Sequence, residues 1–344
     1  MSTRSQNRLR ILAPTRYPWR FNSPRQSKHS IQTKNFLPLN RIDRRIEGIT
    51  AFPPSLQRYD LIHAFNRIPI ARTPYIIGFE SHLPRGFGLE KTPFFRALVQ
   101  SLAGERCNGI VAISKFAENT FRMAHSGGEF EADLMTKLET RYPNLELPHV
   151  TDDPPSISGR IHAVFVGHHF GRKGGCVAVR MAELATSYGI DLHVTIVSAL
   201  EMGGGIWTDP TRAGFFKDWA SRLERPNITW HERLDNDAVQ EALRRAHFCL
   251  LPTFSDSFGY SALEAMANYC PMIATRQGAL PEFIENGVNG LLLDLPVSET
   301  NRWVHSSAPN RHTPEFERIF TDEVERSAKD ANIFWDRRYT EAVA

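Results

Sequence analysis

The sequence predicts an α/β protein with two doubly wound, Rossmann-like domains that face each other across a cleft. The chain of 344 residues is longer than one domain usually is. Short apolar runs alternate with helical patterns, as they do in parallel sheets covered by helices. A proline-rich, polar stretch at residues 142–159 divides the chain near its middle and is typical of a linker. We therefore expect one domain in residues 1–150 and a second in residues 151–322.

The first domain contains four predicted strands, each a short apolar run. They lie at residues 10–14, 60–65, 75–79 and 109–114. Ser114 follows the fourth run and has a side chain suited to cap a helix that begins at Lys115. Residues 322–339 have a helical pattern, and we expect the C-terminal helix over residues 323–344 to complete this first domain.

The second domain contains five predicted strands with helices between them. The strands lie at residues 161–167, 192–197, 247–252, 271–275 and 290–293, and a helix is predicted from Val177. In open parallel sheets, ligands bind in the crevice beyond the carboxyl ends of the strands. The loops that follow these strands are therefore where binding residues are expected.

The charge is divided unevenly between the two halves of the chain. The net charge of +3 combines about +10 in residues 1–150 with about −7 in the remainder. A basic first domain is consistent with a solvated surface, or with attraction to an anionic acceptor or an anionic membrane face. The basic residues are scattered and have no nucleic-acid-binding signature, so we expect no nucleic-acid partner.

Cysteine usage and hydropathy indicate where the protein is found. The four cysteines are far apart and lack metal-ligand spacing, which predicts reduced thiols. No apolar run approaches the roughly 18 residues that span a bilayer, and too few apolar residues follow Arg10 for a signal peptide. We expect a cytoplasmic protein, with peripheral contact at the inner face of a membrane as a further expectation.

The segment after residues 161–167 has the pattern of a phosphate-binding loop. Gly167 ends the strand, and a glycine-rich loop leads into the next helix. Arg172 and Lys173 in this loop are fixed cations, which could stabilise the negative charge that develops on a diphosphate leaving group. Two solvated surface cations are the alternative interpretation.

Residues 253–290 contain a second group of polar residues. Asp256 and Glu264 are separated by eight positions, and Gly259 lies between them. Glu264 lies in a run of strong helix-forming residues. A glycine just before a helix lets backbone N–H groups approach a phosphate closely. A carboxylate one turn into that helix can reach hydroxyls beside the phosphate. This combination predicts a pocket for a sugar nucleotide.

Taken in order, these motifs resemble the C-terminal half of glycosyltransferase family 4, a family of retaining enzymes with the GT-B fold. The resemblance covers about residues 161–293 and is looser over the first half. The motifs are Val166-Gly167, Lys173-Gly174, Leu251-Pro252, Asp256-Ser257-Phe258-Gly259, Leu263-Glu264-Ala265-Met266-Ala267, and Pro281-Glu282 followed by Asn286-Gly287-Val288-Asn289-Gly290.

The resemblance implies a role for each matching residue. Glu264 would accept hydrogen bonds from the ribose hydroxyls, and Asp256 would hold hydroxyls of the donor sugar. Lys173 matches the phosphate lysine of the family. The donor would also contact Gly167, His168 and the loop and helix start formed by Phe258, Gly259, Tyr260 and Ser261.

Two of the departures from the family pattern lie in the second domain. Asp256 stands where the family has Glu, so its reach towards the sugar is shorter by one methylene. His168 stands where the family has Arg, and a neutral imidazole is a poor substitute for a permanent cation. Arg172 could compensate for it.

The other two departures lie in the first domain. The first strand is followed by residues 14–19, Pro-Thr-Arg-Tyr-Pro-Trp, in place of a glycine pair. The position of the family's histidine after residues 75–79 is occupied by Glu80, and His82 follows two positions later. Either Glu80 or His82 could face the cleft and act in catalysis.

The implied reaction transfers a sugar from a nucleoside diphosphate sugar to a hydroxyl of a glycan, lipid-linked or small-molecule acceptor, with retention, as in polysaccharide biosynthesis. It would need neither metal nor cofactor, because Arg172, Lys173 and the helix N-terminus carry the phosphate charge. Replacing Lys173 or Glu264 by Ala is expected to abolish transfer and leave the fold intact. Two alternatives remain: a nucleotide-sugar epimerase of similar build, and a non-catalytic member that binds a sugar nucleotide.

Overall fold

A computed structural model describes residues 8–15, 27–37, 39–41, 43–53, 57–145, 147, 155 and 159–343, without the side chains of Arg44 and residues 333–343. The chain divides into two compact units, Met1–Asn144 and Leu145–Ala344. Residues 16–19 of the predicted donor loop and most of the predicted linker at 142–159 lie outside the described residues.

Unit 1 is built on a six-stranded parallel sheet. Its strands are β1 (Arg10–Pro14), β2 (Ser30–Lys34), β4 (Leu61–Phe65), β6 (Tyr75–Phe79), β7 (Cys107–Ala112) and β8 (Leu138–Thr140), and their order in the sheet is β2-β1-β4-β6-β7-β8. Two short strands, β3 (Ile49–Thr50) and β5 (Ile68–Pro69), form a separate parallel pair. The sheet buries apolar residues such as Ile62, Ile77 and Ile110 in the core of the unit.

Three helices of unit 1 pack against this core. They are α1 (Pro93–Ala103), α2 (Lys115–His125) and α3 (Glu131–Lys137), and two short 3-10 helices lie at Leu39–Arg41 and Arg44–Ile46. The predicted cap of α2 is confirmed, because Ser114 Oγ accepts a hydrogen bond from the Ala117 N–H at 3.0 Å. Each helix contributes a buried side chain to the core: Leu102 from α1, Phe121 from α2 and Leu134 from α3.

Unit 2 is built on a second six-stranded parallel sheet. Its strands are β9 (Ile161–Val166), β10 (Leu192–Val197), β11 (Ile228–His231), β12 (Phe248–Leu251), β13 (Met272–Thr275) and β14 (Gly290–Leu293), in the order β11-β10-β9-β12-β13-β14. Apart from the edge strand β11, the strands are largely apolar runs, because helices cover both faces of such a sheet. The five strands predicted in this half are all present.

The helices of unit 2 follow the strands in the alternation that the sequence predicts. They are α4 (Phe170–Lys173), α5 (Gly175–Ser187), α6 (Lys217–Ser221), α7 (Asn236–Arg245), α8 (Tyr260–Ala267) and α9 (Pro314–Val343), with 3-10 helices at Arg222–Glu224 and Leu280–Glu282. No helix among the described residues combines the length and the apolar character that crossing a bilayer requires.

The C-terminal helix α9 begins earlier in the chain than predicted. The predicted start is residue 322 or 323, whereas the helix begins at Pro314, with Thr313 Oγ1 accepting from the Phe316 N–H at 3.3 Å. Thr followed by Pro and Glu is a start signal. The described side chains of α9 pack in the core of unit 2, and the expectation that residues 323–344 complete the first domain stays a prediction. The buried stripe is Phe316, Phe320, Val324, Ala328 and Ala331.

Candidate functional site

The predicted site residues of unit 2 follow two neighbouring strands. β9 pairs in parallel with both β10 and β12. The strands β10 and β11 therefore lie on one side of β9, and the strands from β12 onwards lie on the other side. At such a switch point the loops after the two strands diverge and leave a crevice for a ligand. Those two loops are residues 167–174 and 252–259.

Glycine allows these two loops to touch through their backbones. Gly174 has φ of +89°, and a Cβ built on it would lie 2.1 Å from the carbonyl oxygen of Pro252. The Phe254 N–H donates to the Arg172 carbonyl at 2.8 Å, and Thr253 Oγ1 donates to the same oxygen at 2.9 Å. The backbone contact fixes the side chains of both loops relative to each other.

Lys173 and Asp256 form an ion pair between the two loops. Lys173 Nζ donates to Asp256 Oδ2, and the two side chains are only 18% and 10% exposed. Burial by itself would raise the pKa of Asp256, but the charges of Lys173 and Arg172 and hydrogen bonds from Lys173 and the Phe258 N–H hold that pKa below its ordinary value. Asp256 is thus ionised and fixes the position of the Lys173 ammonium.

Arg172 is occupied by partners from three segments. Its Nε donates to His169 Nδ1 at 3.0 Å, and one terminal nitrogen donates to the Ser255 carbonyl at 2.6 Å. Its guanidinium carbon lies 4.9 Å from the ring centroid of Trp207. The Trp207 indole in turn donates to Ser255 Oγ at 3.0 Å. Arg172 therefore connects the two loops and has fewer free donors for a phosphate than the sequence suggests.

His168, His169 and Glu201 form a cluster beside Arg172. The Nε2 atoms of His168 and His169 lie 3.1 and 3.3 Å from the two carboxylate oxygens of Glu201. The ligand atoms of these residues approach within 4.8 Å, close enough to hold a metal ion. Burial, and next the charge of Arg172, lowers the pKa of His169. Because the neutral ring accepts from Arg172 at Nδ1, its proton sits on Nε2, which leaves that atom no lone pair for a metal.

The helix start predicted after Gly259 is present. Gly259 has φ of +85° and precedes α8, which begins at Tyr260. Phe258 and Tyr260 are buried, with ring centroids 4.9 Å apart. Ser261 is the second residue of the helix, a position whose N–H has no acceptor within the helix. The glycine and the buried rings therefore place the first turn of α8 at the end of the second loop.

Glu264 lies one turn into α8 and is half-buried. Among the described residues, no side chain or backbone group forms a hydrogen bond or ion pair with its carboxylate. Burial raises the pKa of Glu264 above its ordinary value. A half-buried carboxylate without a partner destabilises the free protein, and hydroxyl donors of a bound ligand would remove that cost.

Asp209 also belongs to the site region, although no sequence motif identifies it. It is fully buried, and it accepts hydrogen bonds from the Gly203 N–H and from Thr208 Oγ1, both at 2.9 Å. A Cβ on Gly171 would lie 2.5 Å from Asp209 Oδ2, so the carboxylate packs directly against α4. Burial raises the pKa of Asp209 to about 6. Its sequence signal is weak: one acid in a glycine-rich loop.

Glu80 and His82 belong to unit 1. Glu80 follows β6, and its Oε1 accepts from an Arg85 terminal nitrogen at 2.6 Å and from Asn66 Nδ2 at 3.2 Å. The His82 ring is half-buried, with its centroid 6.2 Å from that of Phe87. The structure thus places the predicted residues of unit 2 on the loops that follow β9 and β12 and on the first turns of α8, and it places these two after a strand of the other sheet.

Known proteins match the two units to different extents. Residues 160–301 match the model of the family "Glycosyl transferases group 1". A D-inositol 3-phosphate glycosyltransferase of Arthrobacter sp. (strain FB24) is 35% identical over 140 residues, which are 40% of this chain and 31% of that protein. An uncharacterized glycosyltransferase of Methanocaldococcus jannaschii is 43% identical over 106 residues, 31% of this chain and 30% of that one. The chain thus spans less than a third of these relatives.

Solved structures match both units. HepE from Anabaena, solved in complex with UDP and glucose, has a TM-score of 0.51 at 14% identity and covers 96% of this chain and 95% of its own. A glycosyltransferase from Rickettsia africae ESF-5 has a TM-score of 0.52 at 13% identity and covers 95% and 93%. These likenesses confirm the predicted GT-B fold with two Rossmann-like domains, and the family match confirms the predicted resemblance in the C-terminal half.

Proposed function

We propose, from the match of residues 160–301 to the model of the family "Glycosyl transferases group 1", that the chain transfers a sugar from a nucleoside diphosphate sugar to a hydroxyl acceptor. We propose further that the anomeric configuration is retained. The observation that carries the proposal is Glu264, a half-buried carboxylate without a partner among the described residues, at the switch point that also holds Lys173. Such a carboxylate is suited to two adjacent hydroxyls, as on a ribose.

The proposed reaction proceeds on one face of the donor sugar. The bond between the anomeric carbon and the diphosphate oxygen breaks, and the diphosphate keeps the electron pair. The acceptor hydroxyl oxygen bonds to the anomeric carbon, and its proton passes to the leaving diphosphate oxygen. Lys173 and the N–H groups at the start of α8 would stabilise the charge on that diphosphate. Asp256 would hold the Lys173 ammonium in place, and contact between Asp256 and the sugar remains a prediction.

We propose that this charge stabilisation works without a metal ion. In the hydrogen-bonded arrangement of His169, the atom nearest Glu201 carries a proton. Binding a metal there would require breaking the bond from Arg172 to His169. Arg172 would serve to hold the two loops together, with a smaller share in phosphate binding than Lys173.

The acceptor is proposed to bind unit 1. The match to the inositol phosphate glycosyltransferase of Arthrobacter covers 40% of this chain and 31% of that protein, so the acceptor named for it does not follow for this chain. The excess of basic residues in the first half supports an acceptor with negative charge, or one presented at an anionic membrane face. Co-sedimentation with liposomes tests the second possibility, and binding that does not depend on anionic lipid would contradict it.

A thermal-shift screen with UDP, GDP, ADP and dTDP tests the donor site. A nucleotide at 100 times its dissociation constant should add about 2.7 kcal/mol to the free energy of unfolding. Glu264→Ala should abolish this stabilisation, and Glu232→Ala, at an exposed position of unit 2, should retain it. If none of the four nucleotides stabilises the protein at millimolar concentration, the proposed donor site is wrong.

Incubation with the matching nucleotide sugar and an acceptor panel tests the reaction. Proton NMR of the product reports the anomeric configuration, and inversion would contradict the mechanism. Transfer that persists in EDTA is expected. Nucleotide binding with neither transfer nor epimerisation across the panel would instead support the non-catalytic alternative.

A further inference from the structure

Unit 1 contains a cavity of about 370 Å³ at the carboxyl end of its sheet. Pro14 and Phe65, the last residues of β1 and β4, lie in its wall, as does Glu80, the first residue after β6. The strand order reverses between β1 and β4, so this is the switch point of the first sheet. Cavities of this size hold small molecules.

Two carboxylates in the wall each use one oxygen and leave the other available. Glu47 Oε1 lies 3.3 Å from an Arg85 terminal nitrogen and 3.6 Å from an Arg67 terminal nitrogen. Glu80 Oε1 accepts from Arg85 and Asn66. The described residues supply no donor to Oε2 of either carboxylate. Because half-buried arginines hold both carboxylates through Oε1, the two Oε2 atoms are fixed acceptors for hydroxyls of a ligand.

Thr50 provides a second, independent sign of a ligand. It lines the cavity, is 5% exposed, and its Oγ1 is buried with no hydrogen-bond partner among the described residues. A buried hydroxyl without a partner destabilises the free protein. A ligand that offers a hydroxyl at this point would remove that cost.

The charges of the wall add up to a net positive value. Arg67 and Arg85 each approach a glutamate, which leaves the two glutamates balanced by two arginines. Arg41 also lines the cavity, and no described residue pairs with its guanidinium. A guanidinium without a carboxylate partner is suited to a phosphate or carboxylate of the ligand.

We propose that this cavity binds a sugar or polyol that carries an anionic group, and that this molecule is the acceptor. Glu47, Glu80 and Thr50 contact its hydroxyls, and Arg41 contacts its anionic group. The assignment as acceptor rests on the proposed function, whereas the binding chemistry rests on the cavity alone.

Calorimetric titration of the full chain with glucose, glucose 6-phosphate, glucuronic acid and inorganic phosphate tests the proposal. The two anionic sugars should bind at least tenfold more tightly than glucose, and their relative affinities distinguish a phosphate from a carboxylate ligand. Inorganic phosphate should bind more weakly than glucose 6-phosphate. Equal binding of glucose and the anionic sugars, equal binding of inorganic phosphate, or no binding of any sugar at tens of millimolar would overturn the proposal.

Two variants separate binding from folding. Arg41→Ala should remove the preference for anionic sugars, whereas Arg45→Ala, at an exposed residue paired with Asp43 outside the cavity, should retain it. Thr50→Val should weaken the binding of all three sugars about two- to tenfold. The free energy of unfolding of this variant should stay equal or rise, because an unpartnered hydroxyl is removed. A preference that survives Arg41→Ala, or sugar affinity unchanged by Thr50→Val, would contradict the assignment.

The nucleotide screen keeps the two proposals apart. Stabilisation by a nucleotide without sugar binding would support the proposed donor site and contradict the proposed acceptor cavity. Sugar binding that depends on Arg41, without any nucleotide effect, would support the cavity and contradict the proposed transfer.

Discussion

Replacing Lys173 by Met should destabilise unit 2, because it leaves the Asp256 carboxylate charged and only 10% exposed without its cation. Removing one partner of a buried pair typically costs about 3–5 kcal/mol. The pair borders a crevice, so we expect about 2–3 kcal/mol. The earlier expectation that loss of Lys173 leaves the fold intact is therefore revised.

The double variant isolates the interaction. Asp256→Asn removes the carboxylate charge, so Lys173→Met combined with Asp256→Asn has no unpaired charge and should cost less than the two single changes added together. We expect a coupling energy of about 2 kcal/mol, within the range for residues in contact. For a unit of about 200 residues, the Lys173→Met cost corresponds to a Tm lower by roughly 4–12 °C.

Urea unfolding followed by tryptophan fluorescence measures these energies. Five of the six tryptophans lie after residue 200, so the signal reports chiefly on unit 2. Lys329→Met is the control: Lys329 pairs with Glu325 but is 50% exposed, and its loss should cost about 0.5 kcal/mol or less. If the Lys173 and Asp256 changes are additive to within about 0.5 kcal/mol, the pair does not organise the site as described.

Three further predictions follow from the same unit. Glu264→Gln should leave the free energy of unfolding equal or higher, since burial disfavours the charged carboxylate. The same change should weaken nucleotide binding about tenfold. A loss of more than about 1 kcal/mol in the free energy of unfolding would show that the carboxylate has a partner within the protein. The pKa of Asp209 is about 6 in the folded protein and 3.8 in the unfolded chain. The contribution of Asp209 to the free energy of unfolding is therefore complete below pH 3.8 and is lost as the pH rises through 6. The stability of wild type relative to Asp209→Asn should thus fall by up to about 3 kcal/mol between pH 4 and 7 in urea titrations, and a flat difference would refute the burial argument. Gly174→Ala should lower the free energy of unfolding by about 3 kcal/mol or more, because its Cβ would meet the Pro252 carbonyl. The control Gly189→Ala, at a residue with φ of +72° and open space around it, should lower it by about 1 kcal/mol. Equal melting temperatures of the two variants would contradict the close approach of Gly174 to Pro252.

Strands with largely apolar sequences could be predicted, and polar strands at the sheet edges could not. β1, β6 and β10 inside the sheets, and the apolar edge strand β14, coincide with their predicted residues. β2 (Ser30–Lys34) and β11 (Ile228–His231) pair with one neighbour each and carry polar residues. Their pairing with a central strand, and not their composition, makes them strands.

The site shows a similar division between local and distant information. The start of α8 after Gly259 follows from residues adjacent in sequence. The pairing of Lys173 with Asp256, 83 residues away, requires β9 and β12 to be neighbours in the sheet. The position of Arg172 depends on Trp207, which arrives from a third segment. Composition and spacing can identify such residues but not which partners they have.

The last helix has a consequence for how the protein is made. Asn332 Nδ2 donates to the Met181 carbonyl at 3.1 Å, and Glu325 pairs with Arg180, so α9 holds α5, the helix that follows the phosphate loop. These contacts join residues about 150 positions apart, and a ribosome adds roughly 5–20 residues per second. The nascent chain therefore spends several seconds with α5 exposed. A chain that ends early would emerge with the loop sequence complete and its supporting helix missing, a form suited to chaperone binding or proteolysis.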